Sequence, residues 1–197
     1  MLTKAELLEP LARRRTDEVV VTTMSVVRPW GRLSDHDLDF ASADSAMGHT
    51  ADLALGIALA QPDRRVLCMN GDGSMLMSLG TLATIVDAAA ENLVLIVVRN
   101  GVYEITGGQP VPGADTVDFT AMARAAGFPR SLHFEDAAAW EAALDEILAA
   151  PGPTFVCVTV QSGREGPINR RPHEQARYIR ASLADWSRVM RAALLRG

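Results

Sequence analysis

The chain has 197 residues, 48% of them hydrophobic and 22% charged, which suits one well-cored globular domain and is short for two. A formal net charge of −5 excludes the basic face that nucleic-acid binders carry. No apolar run approaches the length of a membrane-spanning helix, so the expected setting is cytoplasmic, with neither membrane nor nucleic acid as partner.

The opening stretch "MLTKAELLEPLARRR" has apolar residues at helical spacing and lacks a signal-peptide core. Its basic run, Arg13 to Arg15, is read as the end of a helix, where cations meet the negative end of the dipole. Four β-branched, apolar runs follow at 18–27, 65–71, 92–100 and 153–161, and a shorter one at 130–135. Their middles are apolar on both faces, as in parallel strands covered by helices on each side. Helical patterns lie between and after them, at 48–60, 75–90, 118–127, 136–150 and 173–195, with Asp118 and Asp136 as candidate N-caps. The alternation predicts a single α/β domain over 1–197, a three-layer sandwich around a mainly parallel sheet. Cys68 and Cys157 fall in strand runs without CxxC spacing and are expected as buried free thiols.

Segments 28–46 and 101–117, rich in Gly, Pro, Ser and Asp, resist assignment. Both follow strands, and ligands in open parallel sheets bind beyond the carboxyl ends of the strands. The turn "GDGS" at 71–74 shares that edge. Its glycines permit close backbone approach, Ser74 adds a hydroxyl, and a following helix leaves its first N–H groups free. Asp72 would repel a phosphate unless a divalent cation lay between them, and Mg2+ readily bridges carboxylate to phosphate. Taken alone, the turn is either a plain loop or a metal-diphosphate site. The Rossmann fingerprint is incomplete, because Leu76 stands where a third glycine or alanine belongs, and no P-loop or nucleophile elbow is present. Asn100 ends the next strand 28 residues after Asp72. Its side-chain oxygen, with a backbone carbonyl from the loop beyond, would complete a magnesium octahedron.

These residues carry a resemblance. "SAMGHTADLALGIALA" (45–60), "GDGSMLMSLGTLATI" (71–85) and "RNGVYEITGGQP" (99–110) together resemble the diphosphate-binding (PP) domain of thiamine-diphosphate-dependent 2-oxoacid decarboxylases. The nearest likeness is to stand-alone PP subunits such as the sulfopyruvate decarboxylase beta subunit, and to the corresponding half of phosphonopyruvate decarboxylases. The resemblance implies thiamine diphosphate and Mg2+ as cofactors. Asp72, Asn100 and the Val102 carbonyl become metal ligands; Gly71 belongs to the same turn, while Gly73, Ser74 and the Ile105 amide face the diphosphate. It further implies that Ser45 and Met47 hold the aminopyrimidine, with the Met47 side chain as the wedge beneath the cofactor. Tyr103 and Thr106 fall near the reaction centre, and His49 is an acid–base candidate or a helix cap. Thr106 stands where pyruvate decarboxylases have a catalytic glutamate, so an acid role does not transfer.

Members of this family also need a pyrimidine-binding (PYR) domain, whose glutamate drives proton transfer within the cofactor. At 197 residues the chain has no room for one. A hetero-oligomer is therefore expected, in which a PYR-domain partner supplies the glutamate and this chain is free to self-associate as well. The implied substrate is a small 2-oxoacid; Arg164, Arg170 and Arg171 are either a solvated basic loop or candidates to recognise an anionic group on it. Acetolactate-synthase-like carboligation and non-catalytic cofactor binding remain as alternatives.

Overall fold

The computed structural model describes residues 1–41, 47–166 and 174–196. Strands β1 (Val19–Thr22), β2 (Asp39–Ala41), β3 (Val66–Gly71) and β4 (Leu93–Arg99) are followed by a small hairpin, β5 (Val102–Tyr103) with β6 (Gln109–Pro110), and then by β7 (Arg130–Phe134) and β8 (Thr154–Thr159). Six of these form one sheet in the order β2-β1-β3-β4-β8-β7, and every neighbouring pair is parallel.

Alternation along each central strand explains the layers. Val20, Leu67, Met69, Val94 and Ile96 point into one core, and Val19, Val21, Val66, Cys68 and Leu95 into the other. The first core is closed by α1 (Lys4–Arg14), α2 (Val27–Gly31), α7 (Ala137–Ala149) and α8 (Arg177–Arg180), through residues such as Leu11, Trp30, Trp140 and Tyr178. The second is closed by α3 (Thr50–Ala60), α4 (Asp72–Leu76), α5 (Thr81–Asp87) and α6 (Phe119–Ala126). Helix α9 (Leu183–Leu194) lies along the β2 edge, sending Trp186 into the first core and Met190 into the second. The expected three-layer α/β sandwich is the fold observed.

Asp118 and Asp136 cap α6 and α7, each accepting from a backbone N–H three residues on, at 2.9 Å. The basic run does end α1. Arg13 and Arg14 pair outward with Glu141 and Asp145 of α7, whereas Arg15 turns inward to Asp39 at 3.1 Å. Both cysteines are buried and free. Burial drives the Cys68 thiol pKa far up and that of Cys157 to about 12.

Several expectations need correction. The 18–27 strand stops at Thr22, and the chain continues through a 3-10 turn over Met24–Val26 into α2. Met24 adopts φ 46°, a left-handed conformation uncommon for a side chain of its kind. Segment 28–46 was expected to be irregular, yet it contains most of α2 and the whole of β2. The single helix expected over 75–90 is two. Helix α4 begins at Asp72, and a chain of i→i+3 bonds through Met77 and Ser78 turns it into α5. The break lets α4 pack on β3 and β4 while α5 packs against α3 and α6. The C-terminal helix is likewise broken, since Ala181 and Ser182 are extended and Ser182 caps α9.

Candidate active site

Strand β1 has β2 on one side and β3 on the other, so the chain reverses its winding at the β1/β3 boundary. A crevice opens at such a switch point, beyond the carboxyl ends of the strands. Here it is a cleft of about 400 Å3, open to solvent, walled by the ends of β1, β3 and β4 and by the β5–β6 hairpin.

Most of the residues singled out from sequence converge on it. Gly71, Asp72, Gly73 and Ser74 line it from the β3–α4 turn, and Asn100, Val102, Tyr103, Ile105 and Thr106 from the β4 side. Met47 enters from the segment before α3. The hairpin gives the loop after β4 a shape that composition did not reveal. Gly108 N donates to Tyr103 O at 2.9 Å, and Val111 N to Gly101 O at 2.9 Å.

Asp72 is 3% exposed. One carboxylate oxygen accepts from Gly73 N at 2.8 Å and the other from Gly101 N at 2.7 Å. Burial raises its pKa above the usual carboxylate value, against the pull of the Gly101 and Gly73 amides. No Lys, Arg or His forms an ion pair with it among the described residues. A charge is thus buried beside an open cleft with only backbone dipoles to stabilise it.

Asn100 is held on both sides of its amide. Its Oδ1 accepts from Val102 N at 3.1 Å, and its Nδ2 donates to Glu104 Oε2 at 2.9 Å. Because a carboxylate only accepts, the Glu104 contact assigns which end of the amide is nitrogen. Ser74 Oγ accepts from Gly48 N at 2.9 Å, fastening the α4 turn to the Met47 segment. Gly73 is required by close approach: a Cβ there would sit 2.3 Å from the Tyr103 ring.

Two candidates, His49 and Arg164, fall elsewhere, and Thr106 lines the cleft without a close partner. His49 lies at the start of α3, outside the cleft lining, with its side chain 71% exposed and Nδ1 3.0 Å from Asp52 Oδ2. It occupies the N-cap position of that helix but makes no capping hydrogen bond. Thr106 is exposed, with its hydroxyl only 3.4 Å from Tyr103 O and Gln109 Oε1. Arg164 lines a separate depression with Gly107, Gly108 and Ser162. Ser45, Arg170 and Arg171 lie outside the described residues.

Sequence reasoning missed Met24 and Ser25, which line the cleft from the end of β1. They were absorbed into an apolar run, and nothing local marks the turn. Glu104 also lines the cleft, and its side chain is only 2% exposed: Lys4 Nζ donates to both its oxygens at 2.7 Å. Gly163 N and Glu165 N donate to it as well, at 3.2 and 2.8 Å. Burial raises the Glu104 pKa, but Lys4 and these amides outweigh it and hold the carboxyl below its usual value.

With this geometry in place, the comparisons with known proteins are decisive. Residues 34–158 match the family described as "Thiamine pyrophosphate enzyme, C-terminal TPP binding domain". The chain belongs to this thiamine pyrophosphate enzyme family. It is 39% identical over 169 residues to a phosphonopyruvate decarboxylase of Streptomyces hygroscopicus, covering 82% of this chain and 40% of that protein. It is 35% identical over 164 residues to sulfopyruvate decarboxylase subunit beta of Methanothermobacter thermautotrophicus, covering 83% of this chain and 84% of that subunit. The chain thus spans about two fifths of the first relative and most of the second. A solved benzoylformate decarboxylase from Polynucleobacter necessarius shares the fold, with a TM-score of 0.64 at 23% identity over 83% of this chain and 34% of that one.

Among the described residues no three His, Cys, Asp or Glu cluster as a metal site. A cation at Asp72 must therefore draw on amide, carbonyl, phosphate and water oxygens. That all-oxygen set, with a single carboxylate, fits Mg2+, which is usually held by one or two carboxylates plus phosphates. No helix among the described residues is long and apolar enough to cross a membrane.

Proposed function

We propose that the chain is the PP subunit of a thiamine-diphosphate- and Mg2+-dependent decarboxylase of small, anionic 2-oxoacids. A PYR-domain partner chain completes its active site in a cytoplasmic hetero-oligomer. The observation that carries this reading is Asp72, a buried carboxylate at the cleft without a cationic partner among the described residues, beside an amide oxygen held by its own network. Asp72, Asn100 Oδ1 and the Val102 carbonyl hold the metal. Ser74, Gly73 and the Ile105 amide take the diphosphate, and Ser45 and Met47 take the aminopyrimidine. When bound, the thiazolium supplies the electron sink for loss of CO2 from a 2-oxoacid. This chain's part is to orient that group, to neutralise the diphosphate through the metal, and to close one wall of the cleft with Tyr103. The similarity to phosphonopyruvate and sulfopyruvate decarboxylases supports an anionic 2-oxoacid.

The test is to purify the native complex, identify the co-purifying chain, and measure CO2 release from phosphonate-, sulfonate- and carboxylate-bearing 2-oxoacids. CO2 and an aldehyde, dependent on both thiamine diphosphate and Mg2+, are expected. An acyloin product would move the reading to carboligation. Absence of cofactor binding by the complex would end it.

A further inference from the structure

Glu104 joins three segments far apart in the chain. Lys4, its cation, lies 100 residues upstream, and the amides it accepts from, Gly163 and Glu165, lie 59 and 61 residues downstream. Its fourth partner is the Asn100 amide nitrogen. Two further features argue that this arrangement serves more than cohesion. Lys4 is the first residue of α1, where a cation opposes the helix dipole. Its placement therefore answers to a tertiary partner rather than to its own helix. The pair is also withdrawn from water, with side chains 10% and 2% exposed. Desolvation cancels much of what such a pair contributes to stability, so geometry is the better account of it. Gly163 adds an independent constraint. A Cβ there would sit 2.9 Å from Glu104 Oε1 and 3.2 Å from Lys4 Nζ, so the third segment is pressed against the pair.

We infer that Glu104, fixed by Lys4 and by the 163–165 segment, is a positioning residue that aims the Asn100 amide oxygen at the cation. The inference rests on the metal role given to Asn100 under Proposed function. The fixed carboxylate takes the amide nitrogen and thereby leaves Oδ1 facing Val102 N and the cleft. Partners behind metal ligands are known to set ligand orientation, and their loss typically costs on the order of 10–100-fold in metal affinity.

The experiment measures thiamine diphosphate retained by the native complex in equilibrium dialysis across a Mg2+ series. Glu104→Gln and Lys4→Met should raise the Mg2+ concentration for half-retention by about 10-fold or more. Retention at saturating Mg2+ should still reach the parent's stoichiometry. Gly163→Ala, which touches no proposed ligand, should shift the same midpoint, and Lys4→Arg should restore it to within about threefold. If Glu104→Gln fails to fold, Lys4→Met and Gly163→Ala decide the matter alone. Parental Mg2+ midpoints in these variants, with only a lower Tm, would overturn the inference and leave the pair as a structural staple. Asp72→Ala keeps the two readings apart. If it too binds like the parent, or if the parent retains no cofactor, the proposed function fails and the positioning role falls with it. If only Asp72→Ala loses binding, the proposed function stands and the positioning role alone is rejected.

Discussion

Among the described residues two aspartates are buried at opposite ends of the strands of one sheet, Asp39 at the amino end of β2 and Asp72 just past the carboxyl end of β3, and their surroundings differ. Asp39, fully buried on β2, meets a donor at each turn: Trp30 Nε1 at 3.1 Å, Ser34 Oγ at 2.5 Å, His36 N at 3.0 Å and Arg15 Nη2 at 3.1 Å. Its backbone carbonyl also accepts from Trp186 Nε1 at 2.6 Å. Asp72, nearly as buried at the start of α4 just past β3, has two backbone amides and an open cleft. A carboxylate whose charge is balanced inside the fold belongs to the fold. One whose charge is left over beside a cleft is prepared for a ligand that the fold does not contain.

Substitution should separate the two sharply. Asp39→Ala leaves the Arg15 guanidinium buried without its partner, and burial already pulls the Arg15 pKa down. Loss of about 3–5 kcal/mol of unfolding free energy is expected, read by urea denaturation. Asp72→Ala should do the reverse: Mg2+-dependent cofactor retention is lost, at least about 100-fold, while the cofactor-free protein keeps its stability within roughly 1 kcal/mol. Equal destabilisation by both changes would erase the distinction. Gly73→Ala adds a methyl that must displace the Tyr103 ring. A weakening of cofactor binding by about 10-fold, with CD spectra unchanged, would sharpen the boundary between the cleft and the scaffold beneath it.

The pH dependence makes a smaller distinction. The folded-state pKa of Asp72 is raised, so the native protein holds that proton more tightly than the unfolded chain does. Its stabilising effect is present at acid pH and is lost as pH rises from the ordinary aspartate value of 3.8 through the raised one. Without Mg2+, the stability of Asp72→Ala relative to the parent should therefore climb over that window in Tm measurements; a flat difference would contradict the environment described. Smallest of all is the expected effect of thiol reagents. Cys68 and Cys157 are buried with raised pKa values, so native protein should show almost no alkylation by mass spectrometry until it is unfolded.

The same contrast explains what sequence made legible. Asp72 and Asn100 could be singled out because a glycine-rich turn at a strand end, and a fixed spacing to the next one, are local patterns with a chemical reason; Met47 came only from the family resemblance. The four central strands of the parallel sheet, β1, β3, β4 and β8, followed from apolar runs that are buried on both faces. Asp39 was hidden because β2 is only three residues long and sits in a stretch of turn-forming residues. The break between α4 and α5 was hidden because "SMLMSLGTLATI" keeps helical spacing straight through it. The anchoring of Glu104 could not be read, since it depends on Lys4 and on Gly163, and no local pattern joins positions so far apart.

The order of the strands has a consequence for assembly. Strand β8 comes last in the chain yet occupies an inner position, between β4 and β7. Until residues 154–159 arrive, one edge of β4 is unpaired and β7 has no neighbour, because β8 bonds both. Parallel pairings at such sequence separation are slow to form, and an open apolar edge is a site for mispairing. The same segment then runs on to deliver Gly163 and Glu165 to Glu104. Closing the sheet and furnishing the support behind Asn100 are thus one event, and on the metal role proposed for Asn100 cofactor capture would report completed assembly.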